Sequence, residues 1–297
     1  MTAAVEVREG YVPVTGGRVW YRIVGGGGAI SLVTVHGGPG GIHDYLAPLE
    51  ALADERPVVF YDQLGAGKSD ALDDVSLWTN ERMIDELGRL LDALELGRVH
   101  LLGHSWGTII AAEYAIRSPD RLASLVLSNP CLSVPRFAAG NLVLRAGLPA
   151  QVRAVLDRHE AAGTTDSAEY EAASMEFYRR HMCRLDPWPE TVMRLFAELN
   201  YTMYERMWGP NEFTVTGTHK DYDATDHLGE LAVPTLFLCG RHDEARPEET
   251  CWYQSLVPGA ELVVFEHSSH MPHLEEPERY QYVLRDFLHR ADGTSKR

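Results

Sequence analysis

The chain has 297 residues, 45% hydrophobic and 24% charged, a globular balance with room for one large α/β domain plus an insertion, or for two domains. Lys and Arg number 27 against 43 Asp and Glu, a net charge of −16, which argues against nucleic acid and anionic membrane surfaces as partners. Such acidity suits cationic substrates, although it more often serves solubility alone.

Cys131, Cys183, Cys239 and Cys251 lie far apart with no CxxC pair, so a reduced chain is expected. The first ten residues show no basic start followed by a long apolar stretch, and no run reaches about 18 apolar residues. A cytoplasmic protein without a membrane span is the expectation.

In chain order, Glu6 to Val12 and Arg18 to Ile23 read as β-rich runs around a turn at Thr15-Gly16-Gly17. Ile30 to Val35 is an apolar strand ending at His36-Gly37-Gly38-Pro39-Gly40, and Val58 to Tyr61 is another, ending at Asp62-Gln63. Glu81 to Leu94 carries Met83, Leu87, Leu90, Leu91 and Leu94 at helical spacing. A strand over 98–102 then leads into Gly103-His104-Ser105-Trp106-Gly107, and Thr108 to Ala115 reads as a helix. Leu122 to Leu127 is a further strand, ending at Ser128-Asn129-Pro130.

From 131 to 226 strand-like runs give way to amphipathic helical stretches, Pro149 to Ala162, Ser167 to Cys183 and Pro189 to Met207. Strand and helix then alternate again through Pro234 to Cys239, Glu248 to Leu256, Glu261 to Phe265 and Pro277 to His289. The expected class is α/β: a mostly parallel central sheet with flanking helices, residues 1–130 and 227–297 forming the core and 131–226 an inserted helical cap.

In such a sheet, function collects at the carboxyl ends of strands. Ser105 lies in G-x-S-x-G between a strand and a helix, the context of a nucleophile elbow. The glycines permit the tight turn, and the N–H after the serine lies at a helix N-terminus, where an oxyanion is stabilised. A serine hydroxyl needs a base, and the base an orienting carboxylate, in the chain order Ser, acid, His. Asp243, in Gly240-Arg241-His242-Asp243-Glu244, and His270, in His267-Ser268-Ser269-His270, satisfy that order. His267 is too close to the strand end and His273 begins the following helix, so surface or capping roles are expected for both. No carboxylate or cysteine set accompanies these histidines, so no metal is expected. Gly67-Lys68-Ser69 is not a phosphate loop, because position 62 is Asp where that motif requires Gly. Gly25 to Gly28 lacks dinucleotide spacing, and no cofactor is expected.

The elements His36-Gly37-Gly38-Pro39-Gly40, Asp62 to Ser69, Gly103 to Thr108, Gly240 to Glu244 and Ser269 to Glu275 together closely resemble the proline iminopeptidase group of the α/β-hydrolase fold. The resemblance spans nearly the whole chain. It implies oxyanion donors at Gly38 (or Gly37) and Trp106, and recognition of a substrate α-ammonium by Glu212, from the cap, and Glu244. It implies release of an N-terminal residue, proline above all, from a short peptide, or hydrolysis of an amino-acid amide. Many members carry glycine where this chain has Thr108, here read as a tolerated helix residue. Two other functions compete. One is an esterase or lactonase of the same fold, and the other a catalytically silent binding protein. Epoxide hydrolases and haloalkane dehalogenases are disfavoured because their nucleophile is Asp.

Overall fold

The computed structural model describes residues 6–294. Its sheet contains β1 (Val7–Val14), β2 (Gly17–Val24), β3 (Leu32–Val35), β4 (Val58–Tyr61), β5 (Val99–His104), β6 (Leu122–Ser128), β7 (Thr235–Gly240) and β8 (Glu261–Phe265). The strand order is β1-β2-β4-β3-β5-β6-β7-β8. Pairings β1·β2 and β2·β4 are antiparallel, and all others are parallel. β1 runs two residues further than the sequence suggested, through Pro13 and Val14. A proline is tolerated there because β1 is an edge strand.

Strands β3 to β7 are buried throughout, as expected where helices cover both faces of a parallel sheet. Alternating side chains feed two cores. Val33, Leu101, Leu125 and Phe237 pack on one face, while Leu32, Leu102, Val126 and Leu238 pack on the other. Helices α1 (Asn80–Ala93) and α2 (Gly107–Arg117) cover the first. An irregular 3₁₀ stretch, His43–Asp54, contributes Tyr45, Leu46, Leu49 and Leu52 to the second.

Between β6 and β7 come α3 (Val134–Ala146), α4 (Ala150–Ala162), α5 (Ala168–His181), α6 (Glu190–Glu198) and α7 (Tyr201–Met207). α4, α5 and the segment after α7 share a small core of their own, in which Leu156, Tyr170, Phe177 and Phe213 meet. Met203, Met207 and Trp208 instead join the main core. The chain closes with α8 (Pro247–Ser255), α9 (Pro272–Glu275) and α10 (Pro277–Thr294).

The expected helix over 189–207 is broken at Leu199 and Asn200. Asn200 caps α7 by accepting from the Met203 N–H (3.1 Å), and its own N–H donates to the Gly40 carbonyl (2.9 Å) while its amide donates to the Gly65 carbonyl (2.8 Å). Three hydrogen bonds outweigh one turn of helix continuity, and they tie α7 to the loops after β3 and β4. Among the described residues no helix is long and apolar enough to cross a membrane.

Candidate active site

Ser105 follows β5 with φ +56°, a left-handed conformation that few non-glycine residues adopt. The flanking glycines are required sterically. A Cβ on Gly103 would meet the Gly107 carbonyl at 2.7 Å, and one on Gly107 would strike the Val35 and His36 carbonyls. The serine is thus held, half-buried, at the start of α2.

His270 arrives on the loop after β8, and its Nδ1 lies 2.7 Å from Asp243 Oδ1. Both side chains are almost fully buried. Asp243 also accepts from the Asn129 side-chain amide at 2.5 Å and from the Ala245 N–H at 2.8 Å. With its oxygens so engaged, the carboxylate accepts from the ring at Nδ1 and fixes its orientation. Nε2 has no hydrogen-bond partner among the described residues. Ser105 and His270 line the same cavity of about 500 Å³.

Gly38 and Gly37 lie on the loop after β3, and that loop abuts Ser105: a Cβ on Gly37 would lie 2.8 Å from Ser105 Cβ. The two glycines are not equivalent. The Gly37 N–H already donates to the Tyr45 hydroxyl at 2.7 Å. The N–H groups of Gly38 and Trp106 have no acceptor among the described residues. Gly38 also needs its missing side chain, since φ is +129° and a Cβ would lie 2.6 Å from the Gly41 nitrogen.

Glu212 lines the cavity from the segment after α7, and its Oε1 accepts from the Tyr204 hydroxyl at 2.5 Å. Glu244 is almost fully buried beside the Nε2 edge of His270, with Oε1 3.7 Å from Nε2 and Oε2 lacking any partner among the described residues. Burial, then the nearby Glu212 and Asp243 charges, hold the Glu244 carboxyl well above the ordinary range. Burial likewise raises Glu212, against the opposing hydrogen bond from Tyr204. The apolar wall includes Tyr178, Phe196, Leu199 and Tyr201.

Residues 30–277 match the family model described as the alpha/beta hydrolase fold. The proline iminopeptidase of Heyndrickxia coagulans is 45% identical over 94% of this chain and 98% of its own length. The crystal structure of the proline iminopeptidase of Mycobacterium smegmatis superposes with a TM-score of 0.91 at 39% identity, covering 97% of this chain and 100% of that one. The crystal structure of VinJ superposes with a TM-score of 0.93 at 43% identity, covering 96% and 99%. The chain belongs to the proline iminopeptidase group of the α/β-hydrolase fold.

Three features of this proline iminopeptidase relative escaped the sequence. Asn129, with φ +55° at the end of β6, clamps Asp243 from 114 positions away. Its only sequence signal was its place at a strand end. Thr108 is not merely a tolerated helix residue. It is wholly buried, its hydroxyl donates to the Ser105 carbonyl at 2.6 Å and accepts from the Cys131 N–H at 3.1 Å. The elbow is thereby braced to the loop after β6. His273, expected on the surface or at a cap, is buried on α9 with Nε2 donating to the Tyr45 carbonyl at 3.0 Å. Burial pushes its pKa down to about 3. His267 is exposed, as expected.

Proposed function

We infer that the protein is a serine hydrolase that removes the N-terminal residue from short peptides, or hydrolyses amino-acid amides, with proline the expected first residue. The observation that carries this reading is the Glu212 and Glu244 pair beside the buried imidazole of His270, with one Glu244 oxygen unpartnered among the described residues. The names borne by its relatives agree with it. Residues 131–226 act as the cap and residues 1–130 with 227–297 as the core. The small core shared by Leu156, Tyr170 and Phe177 supports that division. Four free cysteines suit a reduced, cytoplasmic setting.

In this reading Ser105 Oγ attacks the carbonyl of the first residue, and His270 Nε2 takes its proton. Asp243 stabilises the resulting imidazolium through the 2.7 Å bond at Nδ1. The N–H groups of Gly38 and Trp106 receive the oxyanion, each lowering the barrier by about 3 kcal/mol. His270 returns the proton to the leaving amine, which departs and leaves an ester on Ser105. Water, deprotonated by the same imidazole, then hydrolyses that ester and restores the hydroxyl.

Specificity comes from charge. Two carboxylates at close range in a buried site repel, and a substrate ammonium between Glu212 and Glu244 relieves that repulsion. Each charge-assisted hydrogen bond contributes about 1.5–3 kcal/mol. A neutral ester offers these carboxylates no partner, so no observation favours the esterase or lactonase alternative. The buried Asp243–His270 pair likewise speaks against a silent binding protein.

Prolyl and alanyl arylamides assayed beside their N-acetylated forms test the reading. Free amines should turn over at least about tenfold faster by kcat/KM. Equal turnover of free and blocked forms refutes it.

A further inference from the structure

Tyr45 lies in the 3₁₀ stretch after β3 and His104 immediately precedes the serine. Both are buried, with 1% of their surface exposed. The Gly37 N–H donates to the Tyr45 hydroxyl at 2.7 Å. The Tyr45 hydroxyl lies 3.0 Å from His104 Nδ1. His104 Nε2 lies 2.9 Å from the backbone carbonyl of His270. The two rings meet edge to face at 5.1 Å, and His104 meets His270 in the same way at 5.0 Å.

These contacts admit one arrangement of protons. A carbonyl only accepts, so His104 Nε2 carries the hydrogen. Burial, together with His270 and His273, holds the His104 pKa well below its ordinary value, so the ring is neutral and Nδ1 is an acceptor. The Tyr45 hydroxyl therefore donates to His104 and keeps a lone pair for the Gly37 N–H. The chain runs Gly37, Tyr45, His104, His270, each group donating to the next, with every partner satisfied.

We propose that Tyr45 and His104 are positioning residues: their hydrogen-bonded chain holds the oxyanion loop at Gly37–Gly38 in register with the loop that carries His270. Neither touches the reacting atoms through this chain. Tyr45 occupies the Gly37 N–H and turns the loop so that the next N–H, at Gly38, is the one left to meet the oxyanion. His104 fixes the backbone of the general base from the residue beside the nucleophile. Hydrogen-bonded chains of this kind are worth more together than their separate links.

The proposal rests on the serine-hydrolase reading of the same site, so the assay uses both a prolyl arylamide and a small activated ester. Tyr45→Phe retains the ring and removes both hydrogen bonds. His104→Gln breaks the middle of the chain. Tyr45→Phe is expected to lower kcat by about 10- to 100-fold with KM within about twofold of the parent. Affinity for a prolyl boronate, whose tetrahedral adduct needs the oxyanion donors, should fall by the same factor, while inhibition by proline itself is unchanged. The double variant should be no slower than the slower single variant, because one chain is broken once or twice.

A Tyr45→Phe enzyme with kcat within about twofold of the parent overturns the proposal. So does equal weakening of boronate and proline, which marks general loosening, and so do losses that multiply in the double variant. If the parent enzyme cleaves the ester but no aminoacyl arylamide, the peptidase reading fails, and the ester series still decides between these outcomes. Should His104→Gln melt far below the parent, Tyr45→Phe alone decides through its split between kcat and KM.

Discussion

Replacing Glu244 by Gln separates two effects of one buried carboxylate. The Glu244 side chain is 1% exposed, and one oxygen lacks a partner among the described residues. Its pKa is raised above the ordinary 4.5 by burial, Glu212 and Asp243. A carboxyl raised on folding contributes stability that is fully present below its unfolded pKa and is lost as pH rises through the folded value. Glutamine has no charge to desolvate. The variant should therefore be the more stable at pH 8, by about 1–3 kcal/mol, or a few degrees in Tm, and should match the parent near pH 4. Catalysis should move the other way. Loss of one charge-assisted bond to the substrate ammonium, about 1.5–3 kcal/mol, lowers kcat/KM on prolyl arylamide by about 10- to 150-fold. Hydrolysis of an uncharged activated ester should barely change. Melting curves between pH 4 and pH 8, with both substrates assayed in parallel, measure the two effects. A variant that melts lower at every pH, or that cleaves prolyl arylamide at the parent rate, refutes the ammonium role and the account of the buried charge together.

The same carboxyl predicts that KM for the arylamide rises as pH falls through its raised pKa, since the neutral acid loses its attraction for the ammonium; KM measured across a pH series checks this. Gly38→Ala places a Cβ 2.6 Å from the Gly41 nitrogen at φ +129°, so kcat should fall at least about 100-fold while KM changes little. Asn129→Ala removes the 2.5 Å donor to Asp243 and should cost about 1–3 kcal/mol in stability, read by denaturant unfolding, with a further drop in kcat. Thr108→Val unbraces the elbow at Ser105 and Cys131 and should destabilise by about 1–3 kcal/mol, whereas Thr108→Ser retains both hydrogen bonds and should melt close to the parent.

Much of the fold was legible because its determinants are local. The apolar runs that became β3, β4, β6 and β7 announce buried sheet strands within a few residues each. The glycines around Ser105 announce a turn that only glycine permits, and the order of Ser105, Asp243 and His270 followed from the fold class. The helix break at Asn200 was not legible, since its three partners come from two other loops and from the next turn. A helical pattern over 189–207 carries no trace of them.

The tertiary structure decided what meets what. Ordering β5, β6, β7 and β8 side by side brings their carboxyl ends together, and only then do Asn129, Asp243 and His270 share hydrogen bonds. That the Gly37 N–H is taken while the Gly38 N–H is left free for the proposed oxyanion role depends on Tyr45, eight residues from Gly37, folding back to accept from it. Glu212 reaches the cavity through the packing of Met203, Met207 and Trp208 against the main core. A sequence specifies backbone chemistry within a turn or two. Hydrogen bonds and charge repulsion act over a few ångströms, so the partners that tune a site are known only when distant segments are in contact.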